Sequence, residues 1–243
     1  MIYSSKQNSL IKMLASLKDK KGRKDNGLYL VEGVKMVSEA IKFNREIEYI
    51  VMAQSFEASR LDCNAKTITV TDQVFEYLSD EKTPQGVLAV IKIPEFTAKK
   101  PSSNAIVLDG VQDPGNLGTI IRTAVASGYS DIYLINCVDP YSPKVVRASM
   151  SGIYFVNLYK CDYDELLTVL DGWHLIVADL DGEDLFTFKP KNKFAIVIGN
   201  EGNGVSDTLR EKANVTLTIP MSDKIESLNA SVAASLMMYN LKH

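Results

Sequence analysis

The stretch Ile196-Val-Ile-Gly-Asn-Glu-Gly-Asn-Gly-Val-Ser206 decides the fold of the second half of the chain. It joins the apolar run FAIVI (194–198) to a glycine-rich turn, and a second run, VTLTI (215–219), follows shortly after. Because neither run shows the alternation of a half-exposed strand, both predict buried strands of parallel type. Ligands of open α/β sheets bind outside the carboxyl ends of strands. The polar residues after the two runs therefore predict one shared pocket.

The composition bounds the class of protein. At 243 residues the chain suits one large domain or two modest ones, and 46% hydrophobic with 23% charged residues is ordinary for a globular protein. No apolar run reaches the length of a membrane span, and the polar amino terminus has no secretory segment. The three cysteines, Cys63, Cys137 and Cys161, are far apart. They predict packed, unreactive thiols rather than disulfides or a zinc site, in a cytoplasmic protein.

The charge is unevenly distributed along the chain. Residues 1–100 carry 16 Lys and Arg against 13 Asp and Glu, whereas the remaining residues carry 11 against 17. A basic amino-terminal arm on a near-neutral domain can supply contacts to phosphate groups, although a solvated helix face is an equal alternative. The predicted phosphate contacts are Lys6, Lys12, Lys20, Lys21, Arg23 and Lys24.

The first region, residues 1–95, alternates helical and extended patterns. Apolar residues at helical spacing predict an amphipathic helix over 5–20, and the run Lys20–Gly27 is expected to break it. Strands are predicted over 28–31, 47–52, 67–70 and 86–93, with helices after Gly33 and after Thr71-Asp72. This alternation predicts a small layered α/β domain. Residues 96–104 are polar and contain a proline, which indicates a linker.

The second region, residues 105–243, alternates more regularly. The predicted strands span 105–108, 132–135, 154–158, 175–178, 195–198 and 215–219. A helix runs to about Ser127 and ends at Gly128, and further helices are predicted near 143–150, 163–170, 206–212 and 227–241. This pattern predicts a second α/β domain.

Polar side chains suited to chemistry fall in three turns. Asp113-Pro-Gly-Asn-Leu-Gly118 opens a helix, which makes it a natural site for an anion or a polar ligand. Arg122 follows on an otherwise apolar helix, so it must be ion-paired or face a site. Glu201 lies among glycines, and Ser227 or Asn229 can cap the last helix. Each has an ordinary structural alternative: a salt bridge, a surface carboxylate or a helix cap.

Several common sites are excluded by the sequence. The glycine-rich turn fits neither GxGxxG nor GxxxxGK[ST], so neither a dinucleotide site nor a P-loop is supported. His174 and His243 belong to no cluster with metal-ligand spacing, and no GxSxG elbow occurs. Any chemistry therefore rests on Asn, Arg, Glu and Ser acting with a small-molecule donor.

Three blocks together resemble the SpoU/TrmH family of RNA ribose 2′-O-methyltransferases, within the SPOUT class. They are Asp113 to Ala124, Ile198 to Ser206, and Ile219-Pro-Met221 through Glu226-Ser-Leu-Asn229. The stretch Ser142–Ser149 is similar to a further family segment. Residues 29–35 with Glu39-Ala40 resemble the ribosomal-protein-like RNA-binding domain that often precedes the catalytic one.

The resemblance implies an α/β methyltransferase domain tied in a trefoil knot, with S-adenosylmethionine held in the knotted loops, and a homodimer that completes the pocket. It implies donor contacts at Ile198, Gly199, Ile219, Met221 and Leu228. It implies catalytic residues at Asn116, Arg122, Glu201, Ser227 and Asn229. It adds Arg147 to the residues expected to bind RNA.

Within the family, the position matching Arg122 has been proposed as the general base. A guanidinium resists deprotonation, so we expect Arg122 to clamp a phosphate and stabilise developing alkoxide charge instead. Glu201 and Asn116 would orient Arg122 or the substrate. Two residues depart from the family pattern: Asp223 replaces the usual glycine, and Ala230 replaces the usual valine.

Two functions from different classes follow from the sequence. The first is an RNA 2′-O-methyltransferase, with ribosomal RNA favoured over transfer RNA because of the amino-terminal RNA-binding domain. The second is a non-catalytic RNA-binding or ribosome-assembly protein, which only Asp223 favours. A nucleotide-using α/β enzyme is disfavoured by the missing phosphate-binding loop.

Overall fold

The computed structural model describes residues 2–57, 61, 65–95 and 97–242. The chain divides into two compact units. The first comprises Met1–Pro94 and Tyr141–Tyr154, and the second comprises Glu95–Pro140 and Phe155–His243. None of the described helices is long and apolar enough to cross a membrane.

The first unit is built on a five-stranded mixed sheet. Its elements are β1 (Ile2–Tyr3), α1 (Ser9–Ser16), α2 (Lys20–Asn26), β2 (Leu28–Glu32), α3 (Val34–Lys42), β3 (Ile47–Ala53), β4 (Thr67–Val70), α4 (Asp72–Leu78) and β5 (Val87–Lys92). The strand order is β1-β4-β3-β5-β2, with β5 antiparallel to both of its neighbours. The four strands predicted for this region are confirmed, and β1 is an additional two-residue edge strand.

The prediction that Lys20–Gly27 breaks the first helix is wrong, because this stretch forms α2. The break lies just before it, between Ser16 and Lys20. Gly22 allows the two helices to meet, since a Cβ there would lie 2.0 Å from the carbonyl oxygen of Ser16. The helix ends at Gly27, whose φ of 63° is the left-handed conformation common after a helix.

The second unit is built on a six-stranded, all-parallel sheet. Its elements are β6 (Ala105–Asp109), α5 (Pro114–Ser127), β7 (Asp131–Ile135), β8 (Asn157–Lys160), α7 (Tyr163–Val169), β9 (His174–Asp184), β10 (Phe194–Ile198), α8 (Asp207–Arg210), β11 (Val215–Thr218) and α9 (Ala230–Lys242). The strand order is β11-β9-β10-β6-β7-β8.

The two runs quoted first from the sequence occupy different places in this sheet. β10 is interior and all five of its residues are buried, as predicted. β11 is parallel, but it is an edge strand in which only Leu217 is buried. The prediction of a fully buried VTLTI strand is therefore wrong, because among the described residues no strand pairs with the outer side of β11.

Strand β9 is longer than predicted and is interrupted in its pairing. Val177 pairs with Thr216 of β11, yet the next paired residue, Leu217, lies opposite Glu183. Residues 178–182 thus leave the ladder, and we call them the β9 bulge. A Cβ on Gly182 would lie 2.5 Å from the carbonyl oxygen of Thr216, so the close return to β11 requires glycine.

The segment Tyr141–Tyr154 lies in the range predicted for the second domain but packs in the first unit. It contains α6 (Pro143–Ala148) and a 3-10 helix, Met150–Tyr154. The ring of Tyr141 lies 4.7 Å from that of Tyr29, and the hydroxyl of Tyr154 donates to the carbonyl oxygen of Met36. Because the 3-10 helix takes up residues to 154, β8 begins at Asn157 rather than at Tyr154 as predicted.

Candidate functional site

A cavity of about 540 Å³ lies at the β9 bulge and at the carboxyl ends of β10 and β11. The pocket predicted after the two apolar runs is therefore confirmed, and its volume is typical of a small-molecule site. The five residues expected to contact a donor all line it: Ile198, Gly199, Ile219, Met221 and Leu228. Four of them offer apolar side chains, while Asp179, Glu201 and Glu226 add carboxylates.

The loop Gly199–Gly204, which we call the glycine loop, forms one wall of the cavity. Asn200 and Gly204 exchange backbone hydrogen bonds of 2.9 and 3.0 Å, and Asn200 Nδ2 donates to the carbonyl oxygen of Gly110. A Cβ on Gly199 would lie 2.2 Å from the backbone carbon of Gly204, so only glycine fits there. The loop is thereby closed on itself and fastened to the end of β6.

A chain of hydrogen bonds joins three of the predicted catalytic residues. Asn116, at the start of α5, donates from Nδ2 to Glu201 Oε1 at 2.9 Å. Asn116 Oδ1 accepts from Asn229 Nδ2, also at 2.9 Å. Asn116 is itself buried, and its backbone N–H donates to Asp113 Oδ1. One asparagine thus links the glycine loop to the segment before α9.

The last helix starts with an asparagine cap. Asn229 Oδ1 accepts from the backbone N–H of Ser231 at 2.9 Å and from its hydroxyl at 2.6 Å. The predicted capping role therefore belongs to Asn229 rather than to Ser227. Ser227 is exposed and lines the cavity, as does Leu228.

Arg122 lies apart from this chain of hydrogen bonds. It is exposed on α5, and it forms no hydrogen bond or ion pair with the part of the chain that the structure describes. The alternative considered from the sequence, that Arg122 forms a structural salt bridge, is therefore wrong for the described residues of one protomer. Six residues separate it from Asn116, which places the two side chains about 120° apart around the helix and about 9 Å along it.

Two further residues shape the cavity without having been predicted. Arg210 of α8 forms an ion pair with Asp179 of the β9 bulge, and its Nε donates to the carbonyl oxygen of Val205 at 2.8 Å. The bulge is also held by Thr218, whose hydroxyl donates to the carbonyl oxygen of Leu180. The sequence offered one signal for these two residues: ligands bind at the carboxyl ends of strands, and the strand predicted over 175–178 ends just before Asp179.

The residues predicted to bind RNA fall into two groups. Five lysines are exposed on the first unit: Lys6, Lys12, Lys20, Lys21 and Lys24. Arg23 is a correction, because it is 3% exposed and its Nη1 donates to the carbonyl oxygens of Leu17 and Lys18. Arg147 forms ion pairs of 2.7 Å to Asp80 and Glu81 at the surface, and its part in RNA binding stays a prediction.

The described cysteines are poor nucleophiles. Burial raises the pKa of Cys137 to about 11 and that of Cys161 to about 12, which agrees with packed, unreactive thiols. Cys63 lies outside the described residues. Over the residues with described positions, no group of three His, Cys, Asp or Glu side chains could hold a metal ion.

Known proteins resemble this chain in both of its parts. The model of the SpoU rRNA Methylase family matches residues 103–239, and that of the MRM3-like substrate binding domain matches residues 8–89. The 23S rRNA (guanosine(2553)-2′-O)-methyltransferase RlmP of Bacillus subtilis is 30% identical, with 98% of each chain covered.

Solved structures agree. A TrmH-family protein from Porphyromonas gingivalis is 31% identical, with a TM-score of 0.87 and 97% of this chain and 98% of that chain covered. An AdoMet-bound rRNA methyltransferase from Sinorhizobium meliloti is 26% identical, with a TM-score of 0.88 and coverage of 99% and 96%. Since the family match spans more than half of the sequence and includes every residue that lines the cavity, this chain belongs to the SpoU rRNA methylase family.

Proposed function

We propose that the protein transfers a methyl group from S-adenosylmethionine to a ribose 2′-hydroxyl of ribosomal RNA. The observation that carries the proposal is the chain of hydrogen bonds through Asn116, which fixes Glu201 and Asn229 beside the cavity. Ribosomal RNA is favoured because the Bacillus subtilis relative, similar along its whole length, is named for 23S rRNA. Transfer RNA is the alternative substrate.

The cavity fits S-adenosylmethionine in size and in chemistry. Ile198, Ile219 and Leu228 offer an apolar surface for the adenine ring, and the glycine loop exposes backbone without intervening side chains. Carboxylates at the cavity wall complement a sulfonium and an ammonium group and can accept hydrogen bonds from hydroxyls. In this proposal Gly199 and Met221 complete the set of donor contacts. When bound, S-adenosylmethionine supplies an electrophilic methyl group.

The polar residues then act on the substrate. Glu201 is exposed and accepts at Oε1 from Asn116, and its Oε2 would accept a hydrogen bond from the incoming ribose. Asn229 holds Asn116 from the other side, and Ser227 shapes the loop near the reacting centre. Holding two reactants in a near-attack geometry, roughly 3 Å apart, accounts for much of the acceleration that such a site can give.

Arg122 acts on a second copy of the chain in this proposal. Helices α5 and α9 pack together, with the hydroxyls of Thr123 and Ser235 3.3 Å apart. Their outer faces combine Arg122 with the exposed apolar side chains Val232 and Tyr239. A homodimer through this face would bury the apolar groups and bring Arg122 to the partner's cavity. There its guanidinium clamps a phosphate and stabilises the alkoxide that develops on the ribose.

The remaining assignments follow from the same family. Residues 1–95 act as an RNA substrate-binding domain of ribosomal-protein-like type, residues 96–104 as a linker and residues 105–243 as the methyltransferase domain. Both family matches support this division. In this proposal the carboxy-terminal domain is tied in the deep trefoil knot that the resemblance to the SpoU/TrmH family implies. The protein works in the cytoplasm, where its RNA substrate is found.

Calorimetry with S-adenosylmethionine tests the enzyme directly. We expect one equivalent to bind per chain and to raise the thermal midpoint. The absence of both effects at millimolar ligand would leave the non-catalytic RNA-binding function instead. Asp223, the feature that favours that function, is exposed and takes no part in the hydrogen bonds of the site. Comparing ribose methylation of ribosomal and transfer RNA between a deletion strain and its parent would identify the substrate.

A further inference from the structure

Two lysines share one tryptophan ring in the second unit. Lys100 Nζ lies 5.0 Å and Lys193 Nζ lies 4.9 Å from the ring centroid of Trp173. The two ammonium groups are therefore no more than about 10 Å apart. Each contact between an exposed lysine and the half-buried ring contributes only about 0.5–1 kcal/mol, and the two like charges repel each other. Attraction to the ring alone gives little reason to hold both cations there.

Two more lysines lie within two residues of Lys100 and Lys193 along the chain. Lys99 and Lys191 flank the same two chain segments and are exposed, as are Lys100 and Lys193. None of these four lysines forms an ion pair within the described residues. Asp171 and Glu95 are the nearest acids along the chain. The concentration of lysines is notable because the second unit, which contains all four, carries more acids than bases. We call Lys99, Lys100, Trp173, Lys191 and Lys193 the tryptophan patch.

The patch sits on rigid structure. The ring of Trp173 packs with Ala98 against the buried cluster of the second unit, and its backbone N–H donates to the carbonyl oxygen of Leu170. Lys193 accepts at its carbonyl oxygen from the N–H of His174, where β9 and β10 begin. The patch thus lies at the amino ends of these strands, whereas the cavity lies at the β9 bulge and the carboxyl end of β10. Five residues of strand separate the two edges by roughly 17 Å.

We propose that the tryptophan patch is a second RNA-binding surface, which takes the phosphate backbone of the substrate at a distance from the methylated ribose. The inference rests on the proposed function for the identity of the polyanion. Unpaired ammonium groups on a fixed platform gain most from phosphate, because binding them releases condensed counterions from the RNA. A half-buried aromatic ring beside these cations also suits single-stranded RNA, whose bases stack on the accessible part of such rings.

The chain provides its own reporter, because Trp173 is its single tryptophan. The probe is a poly(U) RNA of about 20 nucleotides, longer than most single-strand sites. The tryptophan emission is followed during titration of the RNA, and the affinity is measured separately by anisotropy of labelled RNA. The test variant is Lys100→Gln/Lys193→Gln, and the matched control is Lys212→Gln/Lys242→Gln, which changes two exposed lysines of the second unit outside the patch.

We expect RNA to change the emission of Trp173 in the wild-type protein and in the control. In Lys100→Gln/Lys193→Gln, we expect an affinity about tenfold lower and a salt slope smaller by about 1.4, since each lost contact to single-stranded RNA removes about 0.7. Calorimetry with S-adenosylmethionine should give the same affinity in all three proteins. A failure of the proposed RNA-binding patch can thus be told apart from a failure of the methyltransferase assignment. RNA binding that saturates without changing Trp173 emission, or an unchanged salt slope in the variant, would overturn the proposal.

Discussion

Replacing Asn116 by aspartate and by alanine tests whether its bond to Glu201 holds the site together. The asparagine donates to Glu201 and accepts from Asn229, each at 2.9 Å. Alanine removes both bonds. Aspartate keeps an acceptor for Asn229 but places a second carboxylate against Glu201. Because aspartate and asparagine have nearly the same shape, packing alone predicts that aspartate is the milder change.

Electrostatics predicts the opposite order. Two carboxylates with charges about 4 Å apart repel by about 1 kcal/mol in water and by about 4 kcal/mol near a protein surface. Glu201 is exposed, so the lower part of this range, about 1–2 kcal/mol, applies. For a chain of this size each kcal/mol moves the thermal midpoint by roughly 2–4 °C. The buried position also costs the new carboxylate desolvation, which roughly offsets the bond to Asn229 that only aspartate keeps. The midpoint of Asn116→Asp should therefore lie about 2–8 °C below that of Asn116→Ala.

Circular dichroism at two salt concentrations provides the assay. The gap between the variants should narrow between about 0.1 M and about 1 M salt, because the screening length falls from about 10 Å to about 3 Å. The double variant Asn116→Asp/Glu201→Gln should recover most of the loss, since it removes one of the two charges. A midpoint for Asn116→Asp at or above that of Asn116→Ala, or a gap insensitive to salt, would refute the reasoning.

Three further outcomes are expected. Arg122→Lys should leave the thermal midpoint and the donor affinity unchanged, because the side chain is exposed and unpaired among the described residues. The same change should lower the rate of single-turnover methylation by about a hundredfold, and near-full activity would exclude the phosphate clamp. Arg210→Ala should weaken S-adenosylmethionine binding in calorimetry about tenfold, equivalent to about 1.4 kcal/mol, because it removes the ion pair that holds Asp179 and the β9 bulge. An unchanged affinity would show that the bulge does not contribute to donor binding. Burial raises the pKa of Glu32, so the folded state binds the carboxyl proton more tightly than the unfolded state does. The free energy of unfolding should therefore increase as pH falls from that raised pKa toward the ordinary carboxyl pKa. Urea unfolding across this window should show a smaller pH dependence for Glu32→Gln than for wild type, and equal dependence would contradict the linkage.

The sequence predicted the strands of both sheets well because hydrophobic runs are local signals. FAIVI became β10 with every residue buried, and each of the other predicted strands has a counterpart. The site residues were predicted through a resemblance, and the reason they meet is visible only in the fold. Asn116 reaches Glu201 and Asn229 across 85 and 113 residues of chain.

The errors arose where tertiary contacts override local preference. Lys20–Asn26 is helical because Gly22 packs against the end of α1 and Arg23 caps it, contacts that no pattern of charges indicates. The β9 bulge depends on which residues of β11 pair with β9, and pairing register is invisible in one strand alone. Arg210 was missed for the same reason, because its partner Asp179 belongs to that bulge.

The membership of Tyr141–Tyr154 in the first unit has a consequence for synthesis of the protein. A ribosome that has released residues up to Pro94 has not yet supplied α6, whose contacts with β2 complete the unit. The missing segment ends sixty residues further along, at Tyr154, which corresponds to a delay of roughly 3–12 s at ordinary elongation rates. During this interval the nascent first unit exposes the apolar side of β2 to chaperones and to premature pairing. Its folding is thereby tied to translation of the methyltransferase sequence, and the two units must mature together.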